Sequence, residues 1–534
     1  MRSLIRAALI SLTLLALMGV MVPAWGTQTS AVTIVPAPEL QGEIQSPARR
    51  QVSDLLTPYV EEEFFVTGVA DIYTYDEVPV RGEIIIQPVN ATFPQTVAVP
   101  YTTRIIVHRP VEPADFTGTL VIEWWNSTAG FDTAPVWDPM AEFVGREGWI
   151  YVGVTNSTTS IGFLKNGCTV FGIALAGCQT RYSALNMSEN GLAFDMVSQI
   201  ANTLKNSSDP QNPLPPGFDV EFLYHAGQSQ QGGSMVTYAS AFHFPANDGY
   251  FVQAAGGARR INYGPVCGST GAPVYPECTP ALTGADRLVE TNGSAPVVRA
   301  MTETDVAGVL ASGSRQTDTA NFRYYEIAGA THVTVHKNIN VVGPITLESF
   351  CKNEMNTIAD GPVLGSLPQR AMWKNLDEFV RNGTQMPAGR VLDTAGGVIA
   401  RTFLGNALGG VRTTDMDVQL GSYFPNNEFD PTLPVALHGI AQLACFLSGS
   451  VTPFNESLLD VLYPTHQSYV AAVSNSADAL VAQGFLLPED RDLVVVRAFL
   501  SDVSCGIGFE LAFVLPPILW LRQRRRARVR PPSG

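Results

Sequence analysis

Ser229 stands in the stretch FLYHAGQSQQGG, residues 222–233, where an apolar run breaks into small and polar residues. A serine hydroxyl is a weak nucleophile until a neighbouring base takes its proton and a third group orients that base. Strand, then Gly-x-Ser, then helix is the setting in which a serine is presented on a tight turn, and such a turn needs small neighbours. Gly227 meets that need before the serine. Gln231 stands where a second glycine is usual, and glycines follow at 232 and 233. A serine that merely caps a helix would look much the same, so the partners must decide.

In an open α/β sheet a triad runs in the chain order Ser, acid, His. The stretch PVVRAMTETDV (296–306) offers Glu303 and Asp305, and YYEIAGATH (324–332) offers His332. All three positions follow apolar runs that read as strands, at the edge where such sheets build their sites. Asp305 fits the usual loop spacing and is preferred; Glu303, nearer the strand end, stays open. The chemistry would be acyl transfer to water: His332 accepts the Ser229 proton and the acid steadies the imidazolium. The oxyanion would be held by the N–H of Gln230 and by the loop after LVIEWW, around Asn126 and Ser127. Trp124 and Trp125 would shape an acyl or alcohol pocket, or simply pack the core. His225 lies in the strand before the serine and reads as a packed core residue. His336 could share a helix face with His332, and His108, His243, His438 and His466 have no strand-end setting. No C-x-x-C or H-E-x-x-H spacing supports zinc, and no cofactor is expected.

These residues need a parallel sheet to bring them together. A polar lead-in at 27–60 ends in an expected helix. EEFFVTGVADIYTY, RGEIIIQPV and YTTRIIVHRP then read as strands. GTLVIEWWN and GWIYVGVTNS are continuous apolar runs, as in strands buried on both faces, and PVWDPMAEFVGREG between them reads as a helix. Strand, helix, strand implies a crossover and a parallel sheet. ENGLAFDMVSQIANTLKN, GGSMVTYASAFHF and PQRAMWKNLDEFVRNG have helical periodicity; GYFVQAAGG, PVVRAMTE and FRYYEIAG read as strands. Residues 258–295 interrupt the alternation with Gly, Pro and two cysteines, and are expected to form a lid or active-site loop. The core is placed at 61–390, with an extension at 391–503 packed on it.

PYTTRIIVHRP, GTLVIEWWNSTAGFDTAPVW, TRYSAL, GQSQQGG, TETDV and EIAGATH, followed by GNALGGVRTTDMDV, GSVTPF and GFLLPEDR, together resemble a little-characterised bacterial α/β-hydrolase domain family. The resemblance covers about 60–500. It implies an α/β-hydrolase fold, mostly parallel with helices on both faces, and a serine hydrolase. The family's elbow resembles GQSQ-x-G, which accommodates Gln231. The resemblance names no substrate; a small-molecule ester is the expected one, with an acyltransferase, an amidase or a binding protein on the same scaffold as rivals.

With 46% hydrophobic and 15% charged residues the chain can bury a large core, and a net charge of −15 argues against nucleic acid as a partner. Residues 1–26 have the layout of a signal peptide: Arg2 and Arg6, an apolar run, then small residues. Residues 504–534 resemble a CTERM-type sorting signal, with Ser504-Cys505-Gly506, an apolar stretch and an arginine cluster. That segment would touch the membrane and meet a sorting protease, which implies the periplasm or cell surface. Export makes disulfides plausible. Cys168 and Cys178 flank one short loop, Cys267 and Cys278 another, and Cys351 and Cys445 would then pair, leaving Cys505 over.

Overall fold

The computed structural model describes residues 31–38, 44–48, 51–76, 83–169, 178–242, 246–271, 274–275, 277–291, 293, 295–333, 340–342, 345–355 and 365–501. The expected signal peptide and sorting segment lie outside the described residues, as do His243, His336 and Cys505.

Nine strands form one sheet. In chain order they are β1 (Thr33–Pro36), β2 (Tyr59–Ala70), β3 (Val99–Pro110), β4 (Thr119–Trp124), β5 (Ile150–Val154), β6 (Phe222–Gln228), β7 (Gly249–Gln253), β8 (Val297–Thr302) and β9 (Phe322–Ile327). Their spatial order is β1-β2-β3-β5-β4-β6-β7-β8-β9. The first three strands and the β3–β5 contact are antiparallel. Every pairing from β5 to β9 is parallel. The carboxyl ends of β4, β6, β8 and β9 therefore share one edge.

The period of two along each strand divides the core between two faces. Leu120, Ile122 and Trp124 point into one apolar layer with Phe194, Met196, Met235 and Val309. Val121 and Trp125 point into the other, with Trp137, Phe143, Trp373 and Leu376. Helices α2 (Ala193–Lys205), α3 (Gln230–Ala241) and α4 (Glu303–Ser312) cover the first face. Helices α1 (Trp137–Glu147) and α5 (Ser366–Asn382) cover the second. Tyr469, Val473 and Val494 of two late helices join that second layer. Arg146 and Arg370 both pair with Asp490 there.

Two expectations change, and one open alternative is decided. The lead-in ends in one short turn, Val52–Asp54, not a full helix. EEFFVTGVADIYTY breaks at Asp71, whose carboxylate accepts from the Ala98 N–H. Its last residues, Tyr73–Tyr75, pair with Ile84–Ile86 as a separate ribbon. Trp125 is a core residue: it lies over Gly153 so closely that a Cβ there would sit 2.0 Å from the indole. Its Nε1 donates to the Tyr151 hydroxyl at 2.8 Å.

Residues beyond 390 close the sheet's far edge. Arg390 and Val411 bridge to Tyr325 and Ile327 of β9, so this edge strand presents no free ladder. Three disulfides, Cys168–Cys178, Cys267–Cys278 and Cys351–Cys445, match the expected pairs.

Candidate active site

Ser229 occupies the turn between β6 and α3 with φ 55° and ψ −113°, a left-handed conformation that costs a non-glycine residue of order 1–3 kcal/mol. Close packing enforces it. A Cβ on Gly227 would lie 2.5 Å from the Gln231 carbonyl oxygen, and one on Gly232 would lie 2.7 Å from the Gln253 carbonyl. The backbone crowding therefore falls on Gly227 and Gly232. Position 231 tolerates a side chain, and Gln231 Nε2 donates to Asn156 Oδ1 at 2.9 Å. Ser229 caps nothing with its side chain; its N–H donates to the Gln253 carbonyl at 2.9 Å.

The Ser229 hydroxyl lies 2.8 Å from His332 Nε2. His332 Nδ1 lies 2.6 Å from Asp305 Oδ1, and the other Asp305 oxygen accepts from the Thr302 hydroxyl. Burial lowers the affinity of His332 for a proton. The charge of Asp305 and its hydrogen bond outweigh burial, so the imidazole sits above the usual histidine value. Glu303, the other candidate acid, is not beside His332. It accepts from the Gly329 N–H at 2.7 Å and pairs with Arg401.

Several residues that sequence reasoning passed over hold this geometry. Gln228 Nε2 donates to the His332 carbonyl at 2.9 Å. The His332 N–H donates to the Thr304 hydroxyl at 3.1 Å, which donates to the Pro425 carbonyl at 2.6 Å. Val333 N–H donates to the Leu447 carbonyl at 2.9 Å. The segment beyond 390 thus grips both the acid turn and the histidine loop. Only tertiary contact reveals this; no local signal in the sequence could.

The loop after β4 brackets the serine. Asn126 Nδ2 donates to the Gln228 carbonyl at 3.1 Å, and the Ser127 hydroxyl to Gln230 Oε1 at 3.1 Å. The Asn126 N–H is spent on the Thr133 carbonyl at 3.1 Å, so this amide is not available to an oxyanion, contrary to expectation. Gln230 opens α3, where backbone N–H groups have no acceptor four residues back. Ser127 N–H has no protein acceptor among the described residues.

His225 is a core residue, as expected. Its Nδ1 takes the Trp124 Nε1–H at 3.3 Å and its Nε2 faces Asn247 Oδ1 at 2.8 Å. Burial pushes its pKa down to about 3, so it is neutral. Trp124 is fully buried but borders a small recess with Asn156, Gln230, Gln231 and Arg260. Arg260 and Tyr263 of the 258–291 segment border this recess, and the segment includes a short helical turn, Gly284–Arg287. Among the described residues no cluster of His, Cys, Asp and Glu is gathered to hold a metal ion.

The chain belongs to the alpha/beta hydrolase domain family, whose model matches residues 35–496. No curated protein matches its sequence. Solved structures with similarity include a CE15 glucuronoyl esterase from Teredinibacter turnerae, at 12% identity, 67% of this chain and 79% of that one, TM-score 0.25. Another is acetyl xylan esterase 1 from Thermoanaerobacterium sp., at 14% identity, 42% and 53% coverage, TM-score 0.21. A third is esterase 2 of Thermogutta terrifontis, at 9% identity, 42% and 78% coverage, TM-score 0.22.

Proposed function

We propose that this alpha/beta hydrolase is an exported serine esterase working through an acyl-enzyme. The observation that carries the reading is the unbroken contact Ser229–His332–Asp305, built on a serine with positive φ. Ser229 Oγ attacks the ester carbonyl while its proton passes to His332 Nε2. Asp305 holds the Nδ1–H and stabilises the imidazolium. The N–H groups of Gln230 and Ser127 receive the oxyanion. The tetrahedral adduct collapses as His332 returns the proton to the leaving alcohol. Water then loses a proton to His332, attacks the acyl-serine, and Ser229 regains its proton as the acid departs.

Export is supported by three disulfides. Among the described residues no helix is long and apolar enough to cross a membrane, so membrane attachment and exchange by a sorting protease would fall to the 504–534 segment. A fluorophosphonate probe and a panel of esters test the activity. We expect covalent labelling at Ser229 and ester turnover, both lost in Ser229→Ala. An unlabelled wild-type protein that cleaves no ester would leave a binding protein on this scaffold as the better reading.

A further inference from the structure

The protein is acidic, with net charge −15, and among the described residues most arginines are claimed by carboxylates. Arg104 holds Glu63 and Asp132, Arg109 holds Glu62, and Arg315 holds Glu326. Of the described arginines that break this pattern, three share one place. Arg259, Arg260 and Arg287 line a cleft of about 290 Å³, with Ala258, Val266 and Leu282 on its walls. Among the described residues none of the three has a carboxylate within salt-bridge distance.

Their own contacts are weak or neutral. Arg259 Nη1 reaches the Gln230 carbonyl only at 3.5 Å, and Arg260 Nη1 donates to the Gly264 carbonyl at 2.9 Å. Both guanidinium groups lie near the Tyr263 ring, 5.5 and 6.0 Å from its centre. Arg287 Nε is buried with no partner. The acid that acts on Arg260 is Glu189, but its Oε1 already accepts the Gly191 and Tyr263 N–H groups at 2.8 and 3.1 Å. Gathering three like charges around one cavity with no carboxylate in direct contact is unfavourable, and an arginine fork suits a carboxylate in two-pronged geometry.

The cleft lies against α3, the helix that follows the reactive serine. Arg259 packs against Gly233 of α3 so tightly that a Cβ there would meet its Cγ at 2.6 Å. Arg260 also borders the recess walled by Gln230 and Gln231. The loop that carries these arginines is fixed. Cys267–Cys278 closes it, and Asn262 Nδ2 ties it to the Tyr73 carbonyl at 2.9 Å and to Gln87 Oε1 at 3.0 Å.

We infer that this arginine cleft binds a free carboxylate on the substrate, so that the enzyme prefers esters carrying a second, ionised acid group. The inference rests on the esterase reading above. The apolar walls suit the carbon chain between the two ends, and the acidic exterior turns polyanions away.

Two matched esters test it on the full exported chain: monomethyl adipate, which is an anion, and dimethyl adipate, which is neutral. Hydrolysis is followed by titration of released acid at pH 7.5. The wild type should show a higher kcat/KM for the anion. Arg260→Gln and Arg287→Gln should each lower the anion-to-neutral ratio by roughly tenfold, the scale of a lost charged hydrogen bond; Arg260→Lys should keep part of it. The ratio cancels any loss of folded protein. Calorimetry of adipate with Ser229→Ala should give saturable binding that weakens in the arginine variants and at high salt. An unchanged ratio in the arginine variants, or a wild type with no preference and no adipate binding, overturns the cleft assignment. If Ser229 is labelled and dimethyl adipate is cleaved in that case, the esterase reading survives alone. An unlabelled Ser229 with neither ester cleaved overturns both.

Discussion

Glu303 and Asp305 stand two residues apart on the first turn of α4 and serve different partners. Residues spaced by two on a helix do not face each other, so one turn of chain sends two carboxylates in different directions. Asp305 meets His332 at 2.6 Å. Glu303 is fully buried, receives the Gly329 N–H and pairs with Arg401. Burial raises the Glu303 pKa, with Arg401 acting against that rise.

Replacing each separates the roles. Asp305→Asn should cut kcat by about 10⁴-fold, the scale seen when a triad carboxylate is neutralised, with little change in stability. Glu303→Gln should leave most activity and lower stability by about 1–3 kcal/mol, because Arg401 loses its charged partner at a half-exposed site. Parallel kcat and urea-midpoint measurements check both. An equal loss of kcat in the two variants would mean that the acid is misassigned.

The chain order Ser229, Asp305, His332 and the alternation of buried strands with amphipathic helices were legible because both are local patterns repeated along the chain. Which carboxylate faces the histidine was not, since it depends on helix phase to within one residue. The oxyanion loop was legible only as a region: Asn126 turns out to spend its N–H on Thr133, a pairing seven residues away that no spacing rule specifies. Gln228, Thr304 and the Arg259–Arg260–Arg287 cleft depend on contacts between segments far apart in sequence.

Ser229→Ala and His332→Ala should reach the same low residual rate, and the double variant should be no worse, because the two act on one proton. Ser229 caps no helix through its hydroxyl, so Ser229→Ala should be nearly neutral in stability. Single-turnover hydrolysis and thermal denaturation test the pair.

Two glycines should respond in opposite directions to alanine. At Gly232 a Cβ meets the Gln253 carbonyl at 2.7 Å and the Ala255 Cβ at 2.8 Å, whereas at Gly308, inside α4, it meets nothing. Gly308→Ala should stabilise by about 0.5–1 kcal/mol through helix propensity and the unfolded chain. Gly232→Ala should destabilise by about 1–3 kcal/mol through overpacking and slow fluorophosphonate labelling of Ser229. Denaturant midpoints decide the signs.

The acid limb of activity should report His332. The imidazole must be neutral to take the Ser229 proton, and its pKa is raised once Asp305 outweighs burial. The limb of kcat/KM should therefore lie above ~6.5, the ordinary histidine value. In Asp305→Asn the opposing cause is gone and burial remains, so the limb should move to lower pH. A profile from pH 4 to 9 on a neutral ester shows the position and the direction of movement.

Stability on the acid side should report His225. Its folded pKa of about 3 lies below an unfolded value of ~6.5. Between those limits the unfolded chain binds a proton that the folded chain refuses, so stability falls as pH drops from ~6.5 and the fall ends near the folded value. His332 has the opposite sign: its raised pKa contributes stability below ~6.5 that is lost as pH climbs through the folded value. His225 should outweigh His332, because nothing charged touches it: its ring nitrogens meet only Trp124 and Asn247. Urea midpoints at pH 7 and 4.5 should therefore show an acid loss that shrinks in His225→Gln and grows in His332→Gln. An acid loss of the same size in His225→Gln as in the wild type would assign it to other groups.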